Sequence, residues 1–229
     1  MIEFPQKRLL TAQKKPTSAL LPPEFQHVEW VGFTGAQYID SNYTASASDK
    51  PLSIEIEFRL TSTTTNGTLI GATAAGGFSP LILGTDTSRN AWTFGHFGAQ
   101  GSGINSSVRF GTLDTNWHTT KYVFNEGVYF DGVLVAETVA QAQMVSNPSC
   151  RLYIGAQNLL NTQASKYAQI ELKRVKFAET SGLVRNWVSG YRKADNAIGL
   201  YDLCGSVSLT GTPFYTNKGT GTFTKGADI

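Results

Sequence analysis

The chain is poor in the side chains that carry metal and redox chemistry: two cysteines and three histidines in 229 residues. Cys150 and Cys204 cannot make CxxC metal knuckles, and in a chain without a signal for secretory export two buried thiols are expected ahead of a disulfide. His27, His96 and His118 are too far apart in sequence for a local metal-binding pair. No apolar run reaches the roughly 18 residues of a membrane span, and the N-terminus lacks the apolar centre of a signal peptide. Neither membrane insertion nor general secretory export is therefore expected. Charged residues make up only 16% and the net charge is +2, too little to expect nucleic acid as a partner. A phosphate loop and a nucleophile elbow are missing too, since Gly101-Ser102-Gly103 lacks the elbow's spacing and following helix.

What is present is a strand-forming chain. Hydrophobic residues make up 41%, enough for a real core, and 23 glycines with abundant threonine point to short strands and tight turns. Leu52, Ile54, Ile56, Phe58 and Leu60 alternate with Ser53, Glu55, Glu57 and Arg59, the period of a half-buried antiparallel strand. Asp131-Gly132 between two apolar runs predicts a hairpin. Strands are expected at Phe25–Phe33, Gln37–Asp40, Thr68–Ala72, Phe78–Leu83, Asn90–Phe97, Ser107–Leu113, Cys150–Ala156, Ala168–Phe177 and Ala197–Leu203. Leu183–Tyr191 has a mixed pattern that could hold a helical turn, and Thr61–Thr65 and Gly98–Gly103 read as loops. About twelve to fourteen strands at this spacing call for an all-β sandwich of two packed sheets. At the end of the chain Phe214, Tyr215 and Phe223 are placed to strap a glycine-rich tail onto the sheet, with Gly219 and Gly221 free to adopt positive φ.

Residues 1–23 differ from the domain at 24–229. They hold Lys7, Arg8, Lys14 and Lys15 against Glu3, with prolines that discourage a long helix. One reading is a floppy terminus. The other is an extended anchoring arm that orders on a partner through Phe4, Lys7, Arg8, Leu9, Leu10, Lys14 and Lys15.

Both ends of the domain carry a resemblance. Leu21-Pro22-Pro23-Glu24-Phe25 through Val28-Glu29-Trp30, then Thr34-Gly35-Ala36-Gln37-Tyr38-Ile39-Asp40, open it; Gly199-Leu200-Tyr201-Asp202-Leu203 and Phe214-Tyr215-Thr216-Asn217, with Gly219-Thr220-Gly221-Thr222-Phe223, close it. Trp117-His118 and Tyr129-x-Asp131-Gly132-x-x-Val135 match in the middle. The pattern resembles laminin-G-like (concanavalin A-like) jelly-roll domains of tailed-phage structural proteins. Departures are Trp30 for the usual tyrosine, Gly32-Phe33 after Val31, and a ten-residue spacer from Cys204 to Pro213. The resemblance implies a concanavalin A-like jelly-roll β-sandwich of two antiparallel sheets over residues 21–229. It also implies a virion component, assembled in the host cytoplasm, with capsid or tail subunits as partners and homo-oligomeric display. It implies no ligand.

Against that background the chemistry is limited. Some concanavalin A-like folds are glucanases, whose carboxylates stand about 5–5.5 Å apart for retention. Here Glu55-Ile56-Glu57 is followed outward by Arg59 and Thr61, so the third acid of the glucanase strand is missing and no catalytic residue is assigned. A solvated strand face is the expectation. Calcium occurs in laminin-G relatives; Asp86, Asp114 and Asp131 are the loop acids available, without an Asp-x-Asp cluster, so no cofactor is expected. His118, beside Trp117, is expected on the sheet surface. Binding of a host-surface glycan is the alternative function. Asn90, Trp92, His96 and Phe97 combine the needed residue types near a loop, although alternation of Trp92 and Phe94 into the core is the preferred reading of that strand. Gln157–Gln163, a polar loop with Leu159 and Leu160, is a second candidate contact.

Overall fold

The computed structural model describes residues 21–44, 53–73, 81–97, 105–123, 126–137 and 150–229, and the side chains of all of these except 82, 96, 97 and 105–107. Nineteen strands fall among them, in two sheets. The larger contains β1 (Phe25–His27), β2 (Val31–Thr34), β4 (Ser53–Leu60), β9 (His118–Val123), β10 (Gly127–Phe130), β11 (Val133–Glu137), β15 (Gln169–Glu179), β16 (Gly182–Arg192), β17 (Ala197–Asp202), β18 (Phe214–Thr216) and β19 (Thr224–Lys225). The smaller contains β3 (Ile39–Thr44), β5 (Thr68–Thr73), β6 (Leu81–Asp86), β7 (Ala91–Phe97), β8 (Asn105–Phe110), β12 (Arg151–Ile154), β13 (Gln157–Leu159) and β14 (Gln163–Ser165). Pairing between these strands is antiparallel except for β13 on β5.

One apolar core joins the sheets. Ile54, Ile56, Phe58 and Leu60 point inward from β4 as their alternation requires. Rings then bridge the layers: Phe58 meets Trp92, Phe94 meets Tyr122, and Tyr43 meets Phe177 at centroid distances of 5.4, 4.9 and 5.1 Å. Full burial of side chains of this size contributes about 1.5–3 kcal/mol each relative to exposure.

The central strand β15 breaks its own alternation. Ile170 and Leu172 face the core, and so do Val175 and Phe177, so the phase slips between the two pairs. The slip is a bulge against β4, where Leu172 pairs with Phe58 and Arg174 with Glu57, leaving Lys173 as the extra residue. A bulge sets two residues of one strand against one of its partner. Lys173 and Arg174 are consequently both directed away from the core.

The tail is strapped down as the aromatic spacing predicts: Phe214, Tyr215 and Phe223 are buried, β18 pairs with β17, and β19 pairs with β2. Gly221 has φ +73°, whereas Gly219 is required for close approach, because a Cβ there would run into the Ala36 carbonyl oxygen. The spacer after β17 is held by the buried Asp202 carboxylate, which accepts hydrogen bonds from the backbone N–H of Asn186 and Cys204 and from the Ser206 hydroxyl. Burial raises the pKa of this carboxyl, against the opposing pull of those hydrogen bonds.

Three expectations need correction. Leu183–Tyr191 holds no helical turn; it lies within the eleven-residue strand β16. The cysteines are both free, but only Cys150 is buried and Cys204 is exposed. The opening strand is split, because the chain leaves the sheet between His27 and Val31.

Candidate binding groove

An open groove of about 940 Å³ lies on the outward face of the larger sheet. Trp30 and Trp117, both half-buried, belong to its lining. Trp30 occupies the break between β1 and β2, where its carbonyl accepts the Gly226 N–H at 3.0 Å. Its ring rests on a glycine shelf: a Cβ on Gly226 would stand 2.7 Å from its Nε1, and one on Gly32 3.1 Å from its Cζ3. Trp117 immediately precedes β9, out of phase with the inward-facing His118, Thr120 and Tyr122. Lys173 Nζ lies 4.0 Å and Arg59 Cζ 5.0 Å from its ring centroid, within cation–π range.

Four of the charges at the groove form two ion pairs. Lys173 contacts Glu57 at 3.0 Å, and Arg59 contacts Glu171 at 2.5 Å. Arg174 donates its Nε–H to the Asn186 side-chain oxygen at 2.9 Å. With Glu29 also in the lining, three cations (Arg59, Lys173, Arg174) stand beside three carboxylates (Glu29, Glu57, Glu171). His27 adds no charge near neutral pH, because partial burial and then the Arg174 charge lower its pKa.

The residues singled out from sequence do not form one exposed patch. Trp92 is 1% exposed, its ring packed on Phe58, Phe130 and His118, so it offers no face to a sugar. Asn90 adopts the left-handed conformation, φ 49°, after the 3-10 turn Thr87–Arg89, and its carbonyl accepts the Leu113 N–H. His96 and Phe97 lie on β7, with side chains outside those described. The Gln157–Gln163 stretch, expected as a polar loop, is a hairpin between β13 and β14, with Leu160 exposed at its turn and Asn158 buried and bonded to Asn161. Phe4, Lys7, Arg8, Leu9, Leu10, Lys14 and Lys15 lie outside the described residues. Glu55 and Glu57 face outward, each against a lysine, Lys176 and Lys173. Sequence reasoning missed Trp30 and Trp117, although strand phase carries the signal: Val31 and Phe33 face in, as do His118 and Thr120, which turns both tryptophans out.

His118 is not on the sheet surface. It is 8% exposed and directed inward, with Nδ1 2.7 Å from Asp131 Oδ2 and Nε2 2.9 Å from Asp114 Oδ1. Burial alone would lower its pKa; the hydrogen bonds to Asp131 and Asp114 outweigh that and raise it. The loop acids considered for calcium are thus engaged elsewhere, since Asp86 binds Ser88, Arg89 and Arg109. Among the described residues no group of three or more His, Cys, Asp or Glu could hold a metal ion, and no helix is long and apolar enough to cross a membrane.

No family model matches the chain, and no curated protein matches it. Among solved structures, a chain from Bacteroides ovatus described as a putative carbohydrate binding protein matches with a TM-score of 0.55 at 16% identity, over 89% of this chain and 62% of that one. The chain therefore spans less than two thirds of that structure. Domains LG4-5 of the mouse laminin alpha1 chain give 0.49 at 20% identity, covering 83% and 46%. Galectin LEC-6 of Caenorhabditis elegans gives 0.38 at 11%, covering 67% and 94%. At these identities the likeness speaks to fold. The fold is an all-β jelly-roll sandwich of two antiparallel sheets.

Proposed function

We propose that this chain is a carbohydrate-binding module that takes an uncharged sugar chain in the groove on the outward face of the larger sheet. The observation that carries the reading is the pair of half-buried tryptophans, Trp30 and Trp117, set in one open groove among ion-paired side chains. Indole faces receive the apolar face of a pyranose, while neighbouring polar groups bond its hydroxyls. The equal number of cations and carboxylates favours a neutral ligand, for which these groups act as fixed donors and acceptors. The fold shared with the Bacteroides ovatus chain is consistent with such a role.

Binding without hydrolysis is the reading, since Glu55 and Glu57 are each held by a lysine. The virion role rests on the terminal motifs alone, and residues 1–20 of its anchor lie outside the described residues.

The test is calorimetric titration with a panel of neutral oligosaccharides and polysaccharides. Trp117→Ala is expected to weaken binding about tenfold or more, roughly 1.4 kcal/mol, with the melting curve little changed because the ring is half-exposed. Full affinity in both Trp117→Ala and Trp30→Ala would remove the groove from consideration.

A further inference from the structure

We propose that Asp114, His118 and Asp131 form a clasp that positions Trp117 at the groove, and that the clasp opens as His118 loses its proton, weakening sugar binding. The binding half rests on the function proposed above; the positioning half does not.

The clasp encloses Trp117 from both sides in sequence. Asp114 Oδ1 accepts the Asn116 N–H at 2.6 Å and meets His118 Nε2 at 2.9 Å, so the residues flanking Trp117 are fixed to one oxygen. Asp131 Oδ2 meets His118 Nδ1 at 2.7 Å, and its Oδ1 accepts the Thr119 N–H at 2.8 Å. The Thr119 carbonyl in turn accepts the Asp131 N–H at 2.8 Å, which ties the start of β9 to the β10–β11 turn.

An imidazole with a carboxylate on each nitrogen needs an N–H at both, which only the protonated ring has. The neutral ring must turn a lone pair toward one of the two oxygens. The other groups packed on the ring are uncharged: Phe58 from β4, Trp92 from β7 and Phe130 from β10. Among the described residues, the charged side chains hydrogen-bonded to the ring are therefore Asp114 and Asp131. Both favour the proton, in keeping with the raised pKa. The sign follows: the clasp is closed below the ordinary histidine range and is lost as pH rises through the raised value.

The experiment is NMR on the ligand-free protein from about pH 5 to about pH 9, following the His118 ring and the indole N–H of Trp117. The Trp117 resonance is expected to move with the His118 midpoint, while that of the core residue Trp187 does not. Asp114→Asn keeps an acceptor for the Asn116 N–H and should carry both midpoints down together by roughly one unit. Asp131→Asn serves as a second variant, because asparagine tolerates the φ of 49° found there. Affinity for the neutral sugar chain should fall several-fold above the midpoint in the parent protein, and above the lower midpoint in Asp114→Asn. A Trp117 resonance that stays flat through the His118 titration would overturn the clasp. Binding that is independent of pH would overturn the coupling while leaving the groove. If no sugar binds at any pH and Trp117 still follows His118, the binding reading and the coupling fall together and the positioning half stands.

Discussion

Gly219 has little room to change. A Cβ would meet the carbonyl oxygen of Ala36 and lie close to Gln37 Cα, and backbone cannot step aside as a side-chain tip can. The same segment is bonded in place: the Lys218 N–H reaches the Tyr38 carbonyl and the Thr220 N–H reaches that of Ala36. Gly219→Ala should therefore destabilise the fold by about 1–3 kcal/mol, read from urea melts; an unchanged midpoint would mean that the tail is not tightly docked. The substitution sets two uses of glycine side by side. Gly221 is needed for its positive φ, which a glycine-threonine run signals, whereas Gly219 is needed for an approach between segments far apart in sequence. Only the first kind of need is legible from sequence.

The same division holds for whole strands. β4 reads cleanly because one face is buried and the other is wet, so period two survives. In β16, Trp187, Val188, Ser189 and Gly190 are all buried, and β1 lies beside Gly190, whose Cβ would come within 2.8 Å of the Gln26 carbonyl oxygen. With both faces covered the alternation disappears, and a mixed pattern invites a helical reading. β15 shows a third case, in which the bulge shifts the phase by one. Deleting Lys173 should restore regular alternation from Ile170 to Phe177, since Arg174 already pairs with Glu57 and Lys173 has no partner across β4. The shortened chain is expected to stay folded, losing no more than about 2 kcal/mol, or roughly 4–8 °C in Tm. It should bind sugar more weakly, because the cation over Trp117 and the partner of Glu57 are gone. Failure of the deletion variant to fold would show that the bulge is needed where β15 changes neighbour from β2 to β16.

At the scale of the molecule, the groove is built from eight stretches: Leu21, residues 27–30, residues 57–59, Trp117, residues 173–174, Val188, Leu203 and Ile229. No short motif contains it, which is why the two-sheet fold was legible from periodicity and turn chemistry while the candidate site was not. The sequence offers Trp92 as a candidate because polar residues surround it locally, while its alternation with Phe94 points into the core, and the core is where packing leaves it. Assembly from distant strands also sets the electrostatics, since each cation in the groove comes from β4 or β15 and finds an oxygen on a neighbouring strand. Interactions of exposed charges weaken as salt shortens the screening length from about 10 Å at 0.1 M to about 3 Å at 1 M. A groove that relied on its net field would lose an acidic polymer over that range. On the proposed reading the two ion pairs contribute little net field and stacking on Trp30 and Trp117 would supply the attraction, so affinity for a neutral sugar chain should change less than about threefold, or about 0.6 kcal/mol. Titrations at the two salt concentrations decide it. A steep loss, or tight binding confined to acidic polysaccharides at low salt, would mean that Arg174 and its neighbours act as an anion site and that the ligand is charged.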